Sequence, residues 1–198
     1  MSGGDGVATV VVRAAATPAT ALQLPVTAPD LQPYLQPSDM VQSADPRVIA
    51  QAREIVGDER EAWPAARKLN QWVYRHMTKV ASEPRPLSAL EIIEAKRGDC
   101  SEHAVLLAAL AQAAGLPVRM VAGLAYGAGA YRYHAWNEVY VGTWVEMDPT
   151  WGEDTVDAGH IQVAASALDS ASLARMSLAA SKTMGTLKLK VLDFAPQP

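Results

Sequence analysis

One residue in the 198-residue chain can act as a soft nucleophile: Cys100, its only cysteine. It follows the polar turn Arg97-Gly98-Asp99 and leads into the apolar run Val105 to Ala111. Val105, Ala108, Ala109 and Gln112 recur there at helical spacing, as do Ala104, Leu107, Leu110 and Ala111; Gly115 and Pro117 then end the run. The spacing predicts Cys100 at the first turn of a buried helix. Unpaired backbone N–H groups and the positive end of the helix dipole lie there, and both favour thiolate over thiol. A lone cysteine is as a rule a small buried hydrophobe, so the thiol by itself decides nothing.

What adds weight lies downstream. Tyr133 to Tyr140 and Thr143 to Asp148 read as two strands with Gly142 between them. A three-residue loop, Tyr140-Val141-Gly142, with Gly142 left-handed, pairs Val139 with Thr143 and sets His134 directly opposite Asp148 on one face. A two-residue loop would place them on opposite faces, and the glycine position favours the first register. Thiol, imidazole and carboxylate then follow in chain order. Nucleophilic catalysis of this kind needs a base within reach of the nucleophile and an acceptor that orients the base. The hairpin supplies the second link; the first is tertiary.

Four blocks carry a resemblance. Gly98-Asp99-Cys100-Ser101-Glu102-His103-Ala104, Ala114 to Gly123, His134 to Tyr140 and Trp144 to Thr150 resemble, in order and spacing, the transglutaminase-like superfamily of papain-fold cysteine enzymes, prokaryotic type. The resemblance runs over about residues 45 to 152. It implies an α+β fold, with a nucleophile helix packed on an antiparallel sheet. It implies Cys100 as nucleophile, His134 as general base and acid, and Asp148 as orienting carboxylate. The acidic loops of the family's calcium-dependent members are not found, so no cofactor is expected.

The elements that must position these residues come next. Asp45-Pro46 opens a helix, with Val48, Ile49, Ala52, Ile55 and Val56 as its apolar face and Gly57 as its end. A second helix is expected from about Glu59 to Met77, with Trp72 and His76 on its packed face. Ser88 to Glu91 is a capping box for a short helix. Asp99 is expected to cap the Cys100 helix, and His103 to be a surface or packing residue. Val118 to Tyr126 is a strand, Gly127 to Ala130 a flexible loop, and Trp136, Trp144 and Trp151 wall a cleft or fill the core. His160 reads as a solvated loop residue. A weakly helical stretch runs from about Ala167 to Ala180, and Leu187, Leu189 and Val191 alternate with lysines as a strand ending at Phe194.

Residues 1–44 are compositionally separate. Val7 to Arg13 could form a strand, and five prolines from Pro18 to Pro37 make the rest an extended, wrapping or linking segment. The expected organisation is this segment as linker or tail of an upstream domain, a core over 45–165, and an extension over 166–198. The size suits one domain. A net charge of −4 with no basic run longer than two residues removes the electrostatic footprint of nucleic-acid binding. No apolar stretch has membrane-span length. Scattered histidines and one cysteine give no metal-ligand spacing. The expected activity is thiol-mediated acyl transfer on a peptide or protein amide, with hydrolysis preferred. Transamidation to an amine, and a non-catalytic scaffold on the same fold, are the alternatives.

Overall fold

The computed structural model describes residues 9–19, 21–183 and 187–193. Its centre is α4, Cys100–Ala113, in which every side chain from Glu102 to Gln112 is buried. A helix apolar on all sides has to be covered on all sides. Helices α1 (Pro46–Val56), α2 (Ala62–His76) and α3 (Ala89–Ala95) cover one flank, and strands β3 (Val118–Gly127) and β4 (Ala130–Tyr140) the other. Val48, Ala52, Leu69, Val73 and Ile92 join Leu106, Leu107 and Leu110 in one apolar cluster with Val118, Ala135, Val139 and Met147.

The main sheet is antiparallel, in the order β5-β4-β3-β6, with β5 at Trp144–Met147 and β6 at His160–Ser166. A two-residue parallel pair, β1 (Thr78–Lys79) with β2 (Arg97–Gly98), leads the chain into α4. This is the α+β arrangement expected. Asp45 caps α1 by accepting from the Arg47 amide at 2.9 Å, and Gly57 ends it at φ +61°. Helix α5 (Ser170–Thr183) packs on β6 and β3 and contributes Met176 and Ala180 to the central cluster. The segment before Asp45 wraps the same body. It forms a short 3-10 helix at Pro29–Leu35, buries Val26, Leu31 and Val41, and donates from the Val26 amide to the Gly115 carbonyl.

Several local expectations change. Residues 9–13 form no strand; Val7 and Ala8 lie outside the described residues. Helix α2 begins at Ala62 rather than Glu59, because Glu61 is still extended. Its Trp72 is half-buried and packs against the central cluster, while His76, expected to pack with it, is exposed and stacks on the Trp72 ring 4.5 Å away. Gly127 to Ala130 is a tight hairpin rather than a flexible loop, turning through Ala128 (φ +51°) and Gly129 (φ +83°). Residues 187–193 form no strand, with Leu187, Leu189 and Val191 exposed; among the described residues no strand pairs with their alternating pattern, and Phe194 lies outside the described residues.

One glycine is fixed by space. Gly123 sits at the irregularity between β3 and β6 and opposite His134 on β4. A β-carbon there would stand 2.1 Å from the Ile161 carbonyl oxygen and 2.7 Å from the Trp136 ring. Gly123→Ala is expected to destabilise the protein by about 2 kcal/mol or more, as overpacking against backbone does. Chemical denaturation of the purified variant measures it.

Candidate active site

Cys100 is the first residue of α4, and the turn before it is fully organised. The Asp99 carboxylate accepts from the Ser101 amide at 2.8 Å, and the Glu102 carboxylate returns to the Asp99 amide at 3.0 Å. That is the reciprocal capping box, so Asp99 has the structural role expected of it. The His103 amide donates to the Asp99 carbonyl, and the buried His103 ring meets the same oxygen at 2.7 Å through Nδ1. The cap leaves the Cys100 amide itself unused. Gly98 has no room for a side chain, since a β-carbon would fall 2.2 Å from that of Glu102.

The hairpin joining β4 to β5 keeps its parity but not its predicted register. Tyr140 pairs with Trp144 and Asn137 with Met147, so the loop is Val141-Gly142-Thr143, with Gly142 at φ +106°. The slip from the expected pairing is two residues, and an even slip preserves the face. His134 and Asp148 are therefore not directly opposite. Asp148 leaves the strand end and reaches diagonally, and its Oδ2 lies 2.7 Å from His134 Nε2.

Asp148 is completely buried and its carboxylate is fully engaged. Oδ1 accepts from the amides of Thr150 at 2.7 Å and Trp151 at 3.2 Å. Oδ2 accepts from His134 and faces His160 Nε2 at 3.3 Å. The turn behind it is closed by paired Asp148 and Glu153 backbones and by Gly152 at φ +76°. Helix α2 pins this turn: Asn70 donates to the Glu153 carbonyl and Gln71 to the Gly152 carbonyl. Trp151 is thereby laid flat on His134, ring centroids 4.6 Å apart.

His134 interacts with Cys100 as well as Asp148. Burial alone would push its imidazole down; the hydrogen bond to Asp148 and the contact with Cys100 outweigh it and raise it to about 9. Burial would likewise raise Asp148, but its two histidine partners hold it well below the usual carboxylate range. Tyr133 is 38% exposed; its partial burial first, then the charge of Cys100, push its hydroxyl up.

Cys100, His134 and Asp148 are thus brought together. Of the three tryptophans, Trp136 and Trp151 flank His134, while Trp144 packs against Tyr34 and Tyr140 beneath Arg119. His160 is not the solvated loop residue expected. It opens β6, is buried, and lies edge-on to Trp136 and Trp151. Its place follows from β6 pairing with β3 beyond Gly123, which no local pattern announces. Two groups have ligand atoms within 4.8 Å of one another, His134 with Asp148 and His160, and Glu153 with Asp157 and His160. Hydrogen bonds and charge pairing between their own members account for both groupings.

A thiol at a helix N-terminus, set against an antiparallel sheet that carries an imidazole, is the papain-like α+β arrangement. Residues 49–149, half of the chain, match the family model of the transglutaminase-like superfamily, and the chain belongs to that superfamily. Among solved structures it is similar to a "putative cysteine protease" from Cytophaga hutchinsonii, at 25% identity and TM-score 0.63, covering 71% of this chain and 48% of that one. It is also similar in fold to the periplasmic domain of TgpA from Pseudomonas aeruginosa, at 22% identity and TM-score 0.51, covering 64% and 49%. The chain spans about half the length of each. No curated protein matches it. Among the described residues no helix is long and apolar enough to cross a membrane.

The pair has a pH signature. Asp148, lowered from 3.8, adds stability that is present above that value and lost as pH falls. His134, raised from 6.5 to about 9, adds stability fully present below 6.5 and lost as pH rises through 9. Both parts coexist between about pH 4 and 6.5. The Tm deficit of Asp148→Asn is expected to be largest in that window and to narrow above about pH 9. A deficit independent of pH, in thermal melts across this range, would contradict the assignment.

Proposed function

We propose that the protein is a cysteine-dependent acyl-transfer enzyme that cleaves amide bonds in peptides or proteins by hydrolysis. The observation that carries this reading is the buried imidazole of His134, hydrogen-bonded to Asp148 at 2.7 Å, on the strand that packs against the helix Cys100 begins. In the proposed cycle Cys100 Sγ attacks the amide carbonyl as thiolate, and the carbonyl π electrons move to oxygen. In this reading the Cys100 amide, which the cap does not use, donates to that oxyanion. As the C–N bond breaks, His134 passes its proton to the departing nitrogen and a thioester remains. Neutral His134 then takes a proton from water, whose oxygen attacks the thioester. The C–S bond breaks, the acid leaves, and the thiolate is restored beside a protonated imidazole.

Asp148 acts by orientation. With Nε2–H committed to its carboxylate, only Nδ1 of His134 remains for the thiol and the leaving group. Hydrolysis is favoured over transfer to an amine by the 25%-identical neighbour that bears the name of a protease. A scaffold would not require a cysteine, a histidine and a buried carboxylate in one interacting group.

Cys100→Ala is expected to abolish thiol labelling and turnover of a fluorogenic peptide library while leaving the fold intact. His134→Ala should lower kcat/KM by about 1,000-fold or more, and Asp148→Ala by less, since a mis-set imidazole still works part of the time. In the parent, kcat/KM should fall as pH rises through about 9, where His134 loses its proton. Products are read by mass spectrometry with and without an added primary amine. A new carboxylic acid supports hydrolysis, incorporation of the amine replaces it with transamidation, and Cys100 labelling no faster than a free thiol rejects the enzyme.

A further inference from the structure

Asp148 is held by two histidines, and the acyl-transfer cycle uses only one. His160 has a side chain with no exposed surface. Its Nε2 lies 3.3 Å from Asp148 Oδ2, and its Nδ1 lies 3.1 Å from Asp157 Oδ1 and 3.8 Å from Glu153 Oε2. A neutral imidazole has one N–H and one lone pair. Asp148 already accepts from two amides and from His134, and Asp157 Oδ1 already accepts from the Gly159 amide at 2.8 Å. Both are acceptors, so a bare ring nitrogen would direct its lone pair at a carboxylate oxygen from either side. Only the imidazolium, with two N–H groups, satisfies both contacts.

We propose that His160 is a positioning residue for this site, a buried imidazolium that fixes the Asp148 carboxylate and shares its charge with His134. The inference rests on the reading of Asp148 as the partner of His134. The carboxylates around His160 offset its charge: Asp148, Glu153 and Asp157 from the turn after β5, and Glu146 on β5. Arg13, from the N-terminal segment, lines a cavity together with Glu146 and His160, and the His134 ring centroid is 6.0 Å from that of His160. Burial disfavours the cation, but these acids outweigh it and raise His160 above its ordinary value. A second cation on the same oxygen weakens the hold of Asp148 on the His134 proton. His134 then stays charged enough to pair with the thiolate, yet acidic enough to protonate a departing amine.

The test needs no substrate. Imidazole nitrogen and proton NMR of the whole chain, followed across pH, reads the protonation of each ring, and iodoacetamide reads Cys100 in the same samples. At neutral pH both His160 ring nitrogens are expected to carry protons. His160→Gln keeps a donor toward Asp148 and removes the charge, and should move the His134 midpoint upward by roughly one pH unit. Asp157→Asn, at a side chain 69% exposed and safe for folding, should lower the His160 midpoint and carries the test if the first variant does not fold. A single N–H on His160 at neutral pH overturns the proposal, as do midpoints that neither variant moves. Such a result with rapid Cys100 labelling rejects this inference alone. Slow labelling in the parent rejects the acyl-transfer reading, whatever His160 does.

Discussion

Burying an ionised carboxylate is costly unless every lone pair finds a donor, and Asp148 is where this fold meets that demand. Its donors come from widely separated parts of the chain: two amides of the turn that follows it, His134 on β4, and His160 at the start of β6. Each of these elements has to be in place for the carboxylate to remain charged. The turn needs α2, through Asn70 and Gln71. The histidines need the sheet: β4 carries His134, and β6, at the edge opposite β5, opens with His160, whose Nε2 reaches across to Asp148. Removing one donor would strand a buried charge, so the sheet, the turn and α2 are coupled through a single side chain.

The nucleophile is held by different means. Cys100 is fixed by its own helix, whose first turn is closed by Asp99 and Glu102 within three residues of sequence. The base is fixed by the sheet. What connects them is the packing of α4 on β4, where Asn137, completely buried, donates from Nδ2 to the Ala104 carbonyl at 3.1 Å. That bond ties the strand carrying His134 to α4 one turn past Cys100. The alanines at 104, 108, 109 and 111 are all buried and small, which lets helix and sheet backbones approach closely.

Legibility in the sequence follows the same division. The cap before Cys100 and the helix behind it depend on residues a few positions apart, and the shared face of His134 and Asp148 on the parity of one hairpin; spacing exposes all three. The hairpin register was read two residues off, because Gly142 is left-handed in either alignment and parity cannot distinguish them. His160 could not be read locally at all. Its neighbours Asp157 and Gly159 suggest a turn, and its burial comes from β6 lying against β3, an edge chosen by tertiary packing. The alternating lysines and aliphatics of 187–191 mislead in the other direction: a two-sided pattern becomes a strand only when an edge pairs with it, and among the described residues none does.

Gly123 shows why the two halves of the site cannot drift independently. It lies across from His134 on one side and against β6 on the other, at the point where β3 and β6 change register. The bare backbone there admits the Ile161 carbonyl on one flank and the Trp136 ring on the other. Trp136 in turn donates its indole N–H to Glu146 at 2.9 Å and lies edge-on to His160. A side chain at this one position would displace β6 and Trp136 together, and with them His160 and the wall of His134. The absence of a β-carbon is thus a constraint on the site as firm as the presence of the carboxylate, and it acts through contacts that involve no charge.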